Sequence, residues 1–152
     1  MYANFYLSDL ASACKIKTLH KNKIKAILFL GCNNKKEDIL EKYKHLGISH
    51  LFIHINDNNI ENINWYSSDV FEFINSNIKH NILIHCHKGI SRSPVFLTMY
   101  LLNVMYSHKK YNTSQTRNIL DFFTKQRHCV LPNKNFINQL ITYEKSLSLK
   151  IG

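Results

Sequence analysis

Ile82-Leu83-Ile84-His85-Cys86-His87-Lys88-Gly89-Ile90-Ser91-Arg92-Ser93-Pro94 runs from a short apolar stretch, through a polar loop, into a strongly apolar segment. The stretch 82–85 is apolar without alternation, which fits a strand covered on both faces. From Ser93 to about Ser107 nearly every position is apolar (Val95, Phe96, Leu97, Met99, Tyr100, Leu101, Leu102, Val104, Met105). That pattern predicts a helix buried on most sides, with Pro94 suitably placed in its first turn. A loop between a buried strand and a buried helix turns its backbone N–H groups, and the helix N-terminus behind them, toward one point. Such a point favours an anion.

Two more runs upstream, Ala26-Ile27-Leu28-Phe29-Leu30 and Leu51-Phe52-Ile53-His54-Ile55, read the same way. Helical spacing separates the runs. Ile39, Leu40, Tyr43 and Leu46 precede Gly47, a C-terminal stop, and Val70, Phe71 and Ile74 follow an entry near Ser67 or Ser68. Downstream, Ile119, Phe122 and Phe123 suggest another helix. Pro132-Asn133 then makes a turn before a last amphipathic helix through Phe136, Leu140, Tyr143 and Leu147. Strands alternating with helices imply right-handed crossovers, hence an α/β fold with a mainly parallel central sheet flanked by helices. Ligands of such folds bind at the C-terminal edge of the strands, where the 86–92 loop would lie.

The 152 residues suit one domain spanning 1–152, with no internal repeat or linker. A content of 45% hydrophobic and 20% charged residues argues against disorder. The formal net charge of +10 points to an anionic partner without choosing among nucleic acid, membrane and phosphoprotein. Asn and Lys are abundant, so composition alone accounts for part of it. No run is long enough to span a membrane and the start lacks a secretory signature, so a cytoplasmic or nuclear setting is expected. The cysteines Cys14, Cys32, Cys86 and Cys129 form no C-x-x-C pair, so no metal site is expected. Lys21, Lys23, Lys25, Lys35 and Lys36 read as solvated surface.

Chemistry concentrates in the loop. Arg92, six positions after Cys86, can reach back and grip two phosphate oxygens through its planar fork, which Lys could not do. The helix N-terminus and the cation favour the thiolate of Cys86 over its thiol. A thiolate beneath a bound phosphate is a nucleophile aimed at phosphorus. His87, Lys88, Gly89, Ile90, Ser91 and Arg92 would line the phosphate. Gly89 lets the backbone approach closely and suits a positive φ. His85 is expected behind the loop, orienting its backbone and helping to keep Cys86 ionised.

The pattern His-Cys-x-x-Gly-x-x-Arg-Ser resembles the protein tyrosine phosphatase superfamily, and Ser91-Arg92-Ser93 looks most like its dual-specificity branch. Met99-Tyr100-Leu101-Leu102, Gln126-Arg127-His128, Pro132-Asn133, Phe136-x-x-Gln139-Leu140 and an Asn4-Phe5-Tyr6-Leu7 first strand extend the likeness from about Phe5 to Leu147. That span leaves no room for a rhodanese-like targeting domain, so the chain looks like a small, atypical member. The resemblance implies a general acid on a strand-to-helix loop. Asp57, in His54-Ile55-Asn56-Asp57-Asn58-Asn59, matches that approach, although an Asp here also suits a turn or cap. It implies that the Ser93 hydroxyl bonds the sulfur, while a plain N-cap role is compatible. It implies a rim position for Arg127, able to meet a second phosphate, with a solvated helix-end cation as the alternative.

The expected function is hydrolysis of phosphotyrosine and phosphoserine/threonine esters in a phosphoprotein through a cysteinyl-phosphate, with no cofactor. The same chemistry on an RNA 5′-phosphate, phosphoinositide or glucan is the first alternative, and a non-catalytic phospho-binding module the second. A nucleic-acid partner is disfavoured, and no oligomeric state is set. Cys32 follows the 26–30 run, so it should emerge at the same sheet edge as Cys86. Lipid phosphatases of this superfamily have a similarly placed cysteine that resolves the oxidised nucleophile, although a bystander loop residue is the simpler reading of Cys32.

Overall fold

The computed structural model describes residues 4–32, 36–108 and 114–151. Its elements are β1 (Phe5–Ser8), α1 (Leu10–Ala13), α2 (Ile16–Lys21), β2 (Ile24–Gly31), α3 (Lys36–His45), β3 (Ser49–His54), a 3₁₀ turn (Ile63–Trp65), α4 (Ser67–Ser76), β4 (Asn81–His85), α5 (Arg92–Ser107), α6 (Gln115–Gln126) and α7 (Lys134–Ile151). The strands form one sheet in the order β1-β4-β2-β3, and every pairing is parallel.

Strand periodicity divides the core. Ala26, Leu28 and Leu30 of β2, with Ile82 and Ile84 of β4, face a large apolar cluster supplied by α4, α5, α6 and α7. Ile24, Ile27 and Leu83 face a smaller cluster with Ala13, Leu19, Tyr43 and Ile48 from the α1–α3 side. Both faces are covered, which is why these strands read as unbroken apolar runs. Only Lys25 is exposed within β2, at a register shift between Ile24 and Ala26. There an irregular backbone turns a charged side chain out of an otherwise dry strand. Gly47 adopts φ +67° just past α3 and closes that helix, with its N–H donating to the Lys44 carbonyl.

The apolar segment after the loop is α5. Its residues from Arg92 to Tyr100 are all buried, as are Leu102 and Tyr106. It packs on the sheet with α4, α6 and α7 around it. Burying each large aliphatic side chain here is worth about 1.5–3 kcal/mol, so α5 and the central strands form a rigid mount for the loop between them. The elements α1 and α2, of four and six residues, are too short to show helical periodicity, and the sequence does not predict them. Lys21, Lys23 and Lys25 are exposed as expected, whereas the Lys36 ammonium sits 4.8 Å from the centre of the Phe52 ring. Lys35 lies outside the described residues.

The N-terminus of α6 is capped from a distance. Ser114 makes no side-chain cap, and Glu144 of α7 instead accepts from the Gln115 N–H (2.8 Å), the Thr116 N–H (2.9 Å), the Thr116 hydroxyl (2.6 Å) and the Tyr106 hydroxyl (2.8 Å). Burial opposes the charge, but these donors together hold the carboxyl below its usual value of 4.5. The native state therefore gains stability from the carboxylate at neutral pH and loses it as pH falls through the depressed native value. Glu144→Ala should lower unfolding stability in urea at pH 7 by about 2–4 kcal/mol, with the deficit shrinking only below about pH 4.5.

Candidate active site

Strand alternation, carried one residue past β4, assigns His85 and Cys86 to opposite faces. Cys86 belongs to the large cluster beneath α5 and is buried. His85 turns to the α3 side, where its Nε2 lies 3.1 Å from the Tyr43 hydroxyl and its ring stacks on Phe29 at 4.4 Å. The Tyr43 hydroxyl also reaches the Ala13 carbonyl at 3.1 Å, and His85 Nδ1 lies 3.4 Å from the Cys86 carbonyl. Burial pushes the His85 pKa down to about 4, so the ring is neutral at physiological pH. Its ring lies against the Cys86 carbonyl from behind the loop and, being neutral, supplies no positive charge to the sulfur. Burial likewise pushes the Tyr43 phenol well above its ordinary value.

The sulfur sits inside the loop. Gly89 N–H donates to Cys86 Sγ at 3.2 Å, and Ser93 Oγ lies 3.1 Å from the sulfur on its helix side. Gly89 has φ +69°, and a Cβ there would come within 2.7 Å of the Ser8 carbonyl oxygen and 2.9 Å of Arg127 Nη2. Glycine is required at 89 on both counts. Four successive carbonyls point outward to donors: His87 to Leu10 N–H (2.9 Å), Lys88 to Arg127 Nη2 (3.1 Å), Gly89 to Arg127 Nε (3.4 Å) and Ile90 to Leu131 N–H (2.9 Å). In a planar trans peptide the N–H points opposite to the preceding C=O. The amides of Lys88, Gly89, Ile90 and Ser91 are thereby turned toward the ring interior.

Arg92 is buried, with Nη1 donating to the Ile55 carbonyl at 3.0 Å. Its Nε is the one buried side-chain polar atom without a partner among the described residues. An unpaired buried guanidinium N–H is costly, and an oxyanion is the partner that would satisfy it.

Asp57 lies on the loop after β3. Its Oδ1 accepts from the Ser91 hydroxyl (2.9 Å) and from the side-chain amide of Asn133. The acid candidate is thus tied to the rim of the cysteine loop, 34 residues away in sequence. Asn133 also donates its backbone N–H to Ser91 Oγ (3.0 Å), and its Oδ1 accepts from Phe136 N–H, capping α7. Gln139 accepts from Ile63 N–H (2.8 Å) and donates to the Glu61 carbonyl (2.7 Å). Asn135 donates to the carbonyls of Asn58 and Glu61. One face of α7 therefore holds the whole 57–63 segment. Pro132-Asn133 and Gln139 carried the family likeness without an assigned role; nothing in their local sequence reveals contacts that span 76 to 78 residues.

The remaining candidates divide. His87 and Lys88 are exposed at the loop, beside an open depression of about 580 Å³ that Arg127, Asp9 and Cys129 also line. Cys32 is an exposed free thiol beyond β2, whereas Cys86 is buried and free. No group of three His, Cys, Asp or Glu among the described residues is arranged to hold a metal ion, and no described helix is long and apolar enough to cross a membrane.

Residues 5–146 match the family model of the dual specificity phosphatase catalytic domain. The chain belongs to this family. A probable dual specificity protein phosphatase of Dictyostelium discoideum is 32% identical over 145 residues, covering 95% of this chain and 61% of that protein. The serine/threonine/tyrosine-interacting protein of Mus musculus is 30% identical over 143 residues, covering 91% of this chain and 60% of its own length. The chain thus spans about three fifths of these two relatives. Among solved structures, the human tyrosine phosphatase-like serine/threonine/tyrosine-interacting protein superposes with a TM-score of 0.79 at 27% identity, covering 98% of this chain and 94% of that one. The Yvh1 phosphatase domain from Chaetomium thermophilum shares the fold, with a TM-score of 0.76 at 20% identity and 96% coverage of each chain.

The neutral His85 yields a pH test for this dual specificity phosphatase domain. The unfolded chain takes up a proton near pH 6.5 and the native state only near 4, so stability falls as pH drops between these values. The His85 ring resonances should titrate near pH 4, and His85→Gln should flatten the stability slope between pH 6.5 and 4. A ring titrating near 6.5 would contradict the burial argument.

Proposed function

We propose that this domain hydrolyses phosphate monoesters on proteins through a cysteinyl-phosphate formed on Cys86. The observation that carries the reading is the convergence of the Gly89 N–H and the Ser93 hydroxyl on the Cys86 sulfur. Hydrogen bonds to sulfur stabilise the thiolate, the form that attacks. In the first step the S–P bond forms while the ester P–O bond breaks. The loop amides and Arg92 Nε stabilise the equatorial oxygens, and Asp57 gives its proton to the departing oxygen. Both bonds that tether Asp57 end on Oδ1, which leaves Oδ2 to carry that proton. In the second step Asp57 takes a proton from water as the water attacks phosphorus. The S–P bond breaks, and Ser93 donates to the departing thiolate.

Membership of the family supports the activity, and a phosphoprotein substrate fits the name of the Dictyostelium relative. The interacting protein's name favours one second reading, a module that holds a phosphorylated residue without hydrolysing it. Cys86, Arg92 and a tethered Asp57 support turnover instead. Release of phosphate from phosphotyrosine and phosphothreonine peptides, compared with phosphoinositides and 5′-triphosphate RNA, assigns the substrate class.

Cys86→Ser should abolish hydrolysis while still binding phosphopeptide. Asp57→Asn should lower turnover of phosphopeptides by about 10²–10⁴-fold, and far less on an aryl phosphate whose leaving group needs no proton. Equal losses on both substrates would make Asp57 a structural tether only.

A further inference from the structure

The sequence offers Arg127 either as a rim cation able to meet a second phosphate or as a solvated helix-end cation. Its guanidinium lies against the outside of the cysteine loop. Nη2 donates to the Lys88 carbonyl at 3.1 Å and Nε to the Gly89 carbonyl at 3.4 Å. The peptides on either side are held by backbone amides, Leu10 N–H on His87 and Leu131 N–H on Ile90. The two central peptides, at the apex of the loop, are held by this one side chain. Gly89 with its φ of +69° is that apex, and Arg127 Nη2 packs where its Cβ would stand. Arg127 follows α6, its backbone N–H donating to the Phe123 carbonyl at 2.8 Å and its carbonyl accepting from Val130 N–H at 3.0 Å. The strut therefore has a fixed base. Asp9, at the start of α1, feels the Arg127 charge, although the Ser12 amide is the main cause of its lowered pKa.

We infer that Arg127 is a positioning residue for the phosphate cradle: it holds the carbonyls of Lys88 and Gly89 outward so that the amides of Gly89 and Ile90 face the bound oxyanion. The inference rests on the phosphatase reading of the loop and extends it to a residue that touches neither the sulfur nor, in this role, the substrate. A flipped 88–89 or 89–90 peptide would aim a carbonyl at the phosphate, replacing attraction with repulsion. A planar fork can span two successive carbonyls, whereas an ammonium is a single point charge that cannot fix both planes.

A rim role and a strut role make opposite predictions on small ligands. A rim cation matters for a doubly phosphorylated peptide and is replaceable by Lys; it is silent toward inorganic vanadate or a small aryl phosphate. A strut matters for every oxyanion. The experiment measures vanadate affinity by titration, and kcat and KM on a small aryl phosphate, for the wild type, Arg127→Ala and Arg127→Lys, with urea unfolding to confirm the fold. Both variants should lose vanadate affinity and kcat/KM together, on the order of 10²-fold, as misplacing a reacting group by about 1 Å does. Arg127→Lys should fail to restore either. Added guanidinium ion should recover part of the loss in Arg127→Ala and leave the wild type unchanged. Should Arg127→Ala not fold, Arg127→Lys carries the test, because it keeps the charge and the aliphatic stem. Variants that bind vanadate and turn over the aryl phosphate like wild type overturn the strut. A selective loss on doubly phosphorylated peptide, rescued by Lys, restores the rim cation in its place. Wild-type protein that binds no vanadate overturns the phosphatase reading itself and the strut with it.

Discussion

Successive backbone amides can face the inside of one loop only if the carbonyls of the same peptides are satisfied on the other side. That constraint organises the site. The loop from Cys86 to Ser91 is a shell with N–H groups inside and C=O groups outside, and its outer surface is bonded to β1–α1 through Leu10 and to the segment after α6 through Arg127 and Leu131. Left to itself, such a run of like-oriented dipoles would rearrange. Here β4 and the wholly buried first half of α5 pin its ends, and the outer donors hold its middle. The preorganisation is built during folding and needs no reorganisation when an anion arrives.

The proposed general acid depends on the same logic over a longer distance. Asp57 is exposed and sits on an irregular segment, so nothing local would hold it in register with the sulfur. Asn133 solves this by bonding Ser91 and Asp57 at once, while Asn135 and Gln139 fasten the segment that follows. The proposed acid and the cysteine loop are coupled through Ser91, whose hydroxyl is shared between Asp57 and the Asn133 amide at the start of α7. Arg92 adds another tie by donating to the Ile55 carbonyl, two residues before the acid.

Much of this was readable from the chain, and the reason is locality. The strand, loop and helix around Cys86 are contiguous, so period, glycine and proline signals describe the unit directly. The parallel sheet followed from three apolar runs separated by helical spacing. Gly89 takes the positive φ read for it, and Gly47 stands at the end of α3, where a stop was read. Asp57 came from resemblance alone, and its tether to Ser91 is a contact that the sequence does not show. What stayed hidden is long-range and polar. Tyr43 meets His85 across 42 residues, and Glu144 caps a helix 28 residues upstream. The Arg127 guanidinium could be assigned only a charge until its two carbonyl partners were visible. His85 was read as support for the thiolate, yet strand alternation carries its ring to the opposite face, where burial keeps it neutral.

The central claim is that this loop makes Cys86 the atom that receives the phosphoryl group. Rapid acid quenching during turnover of an aryl phosphate, followed by peptide mass mapping, tests it directly. The account predicts a phosphoryl increment on the peptide containing Cys86, accumulating in Asp57→Asn and absent in Cys86→Ser. Turnover that proceeds without any Cys86 adduct, or an adduct on another residue, would contradict it.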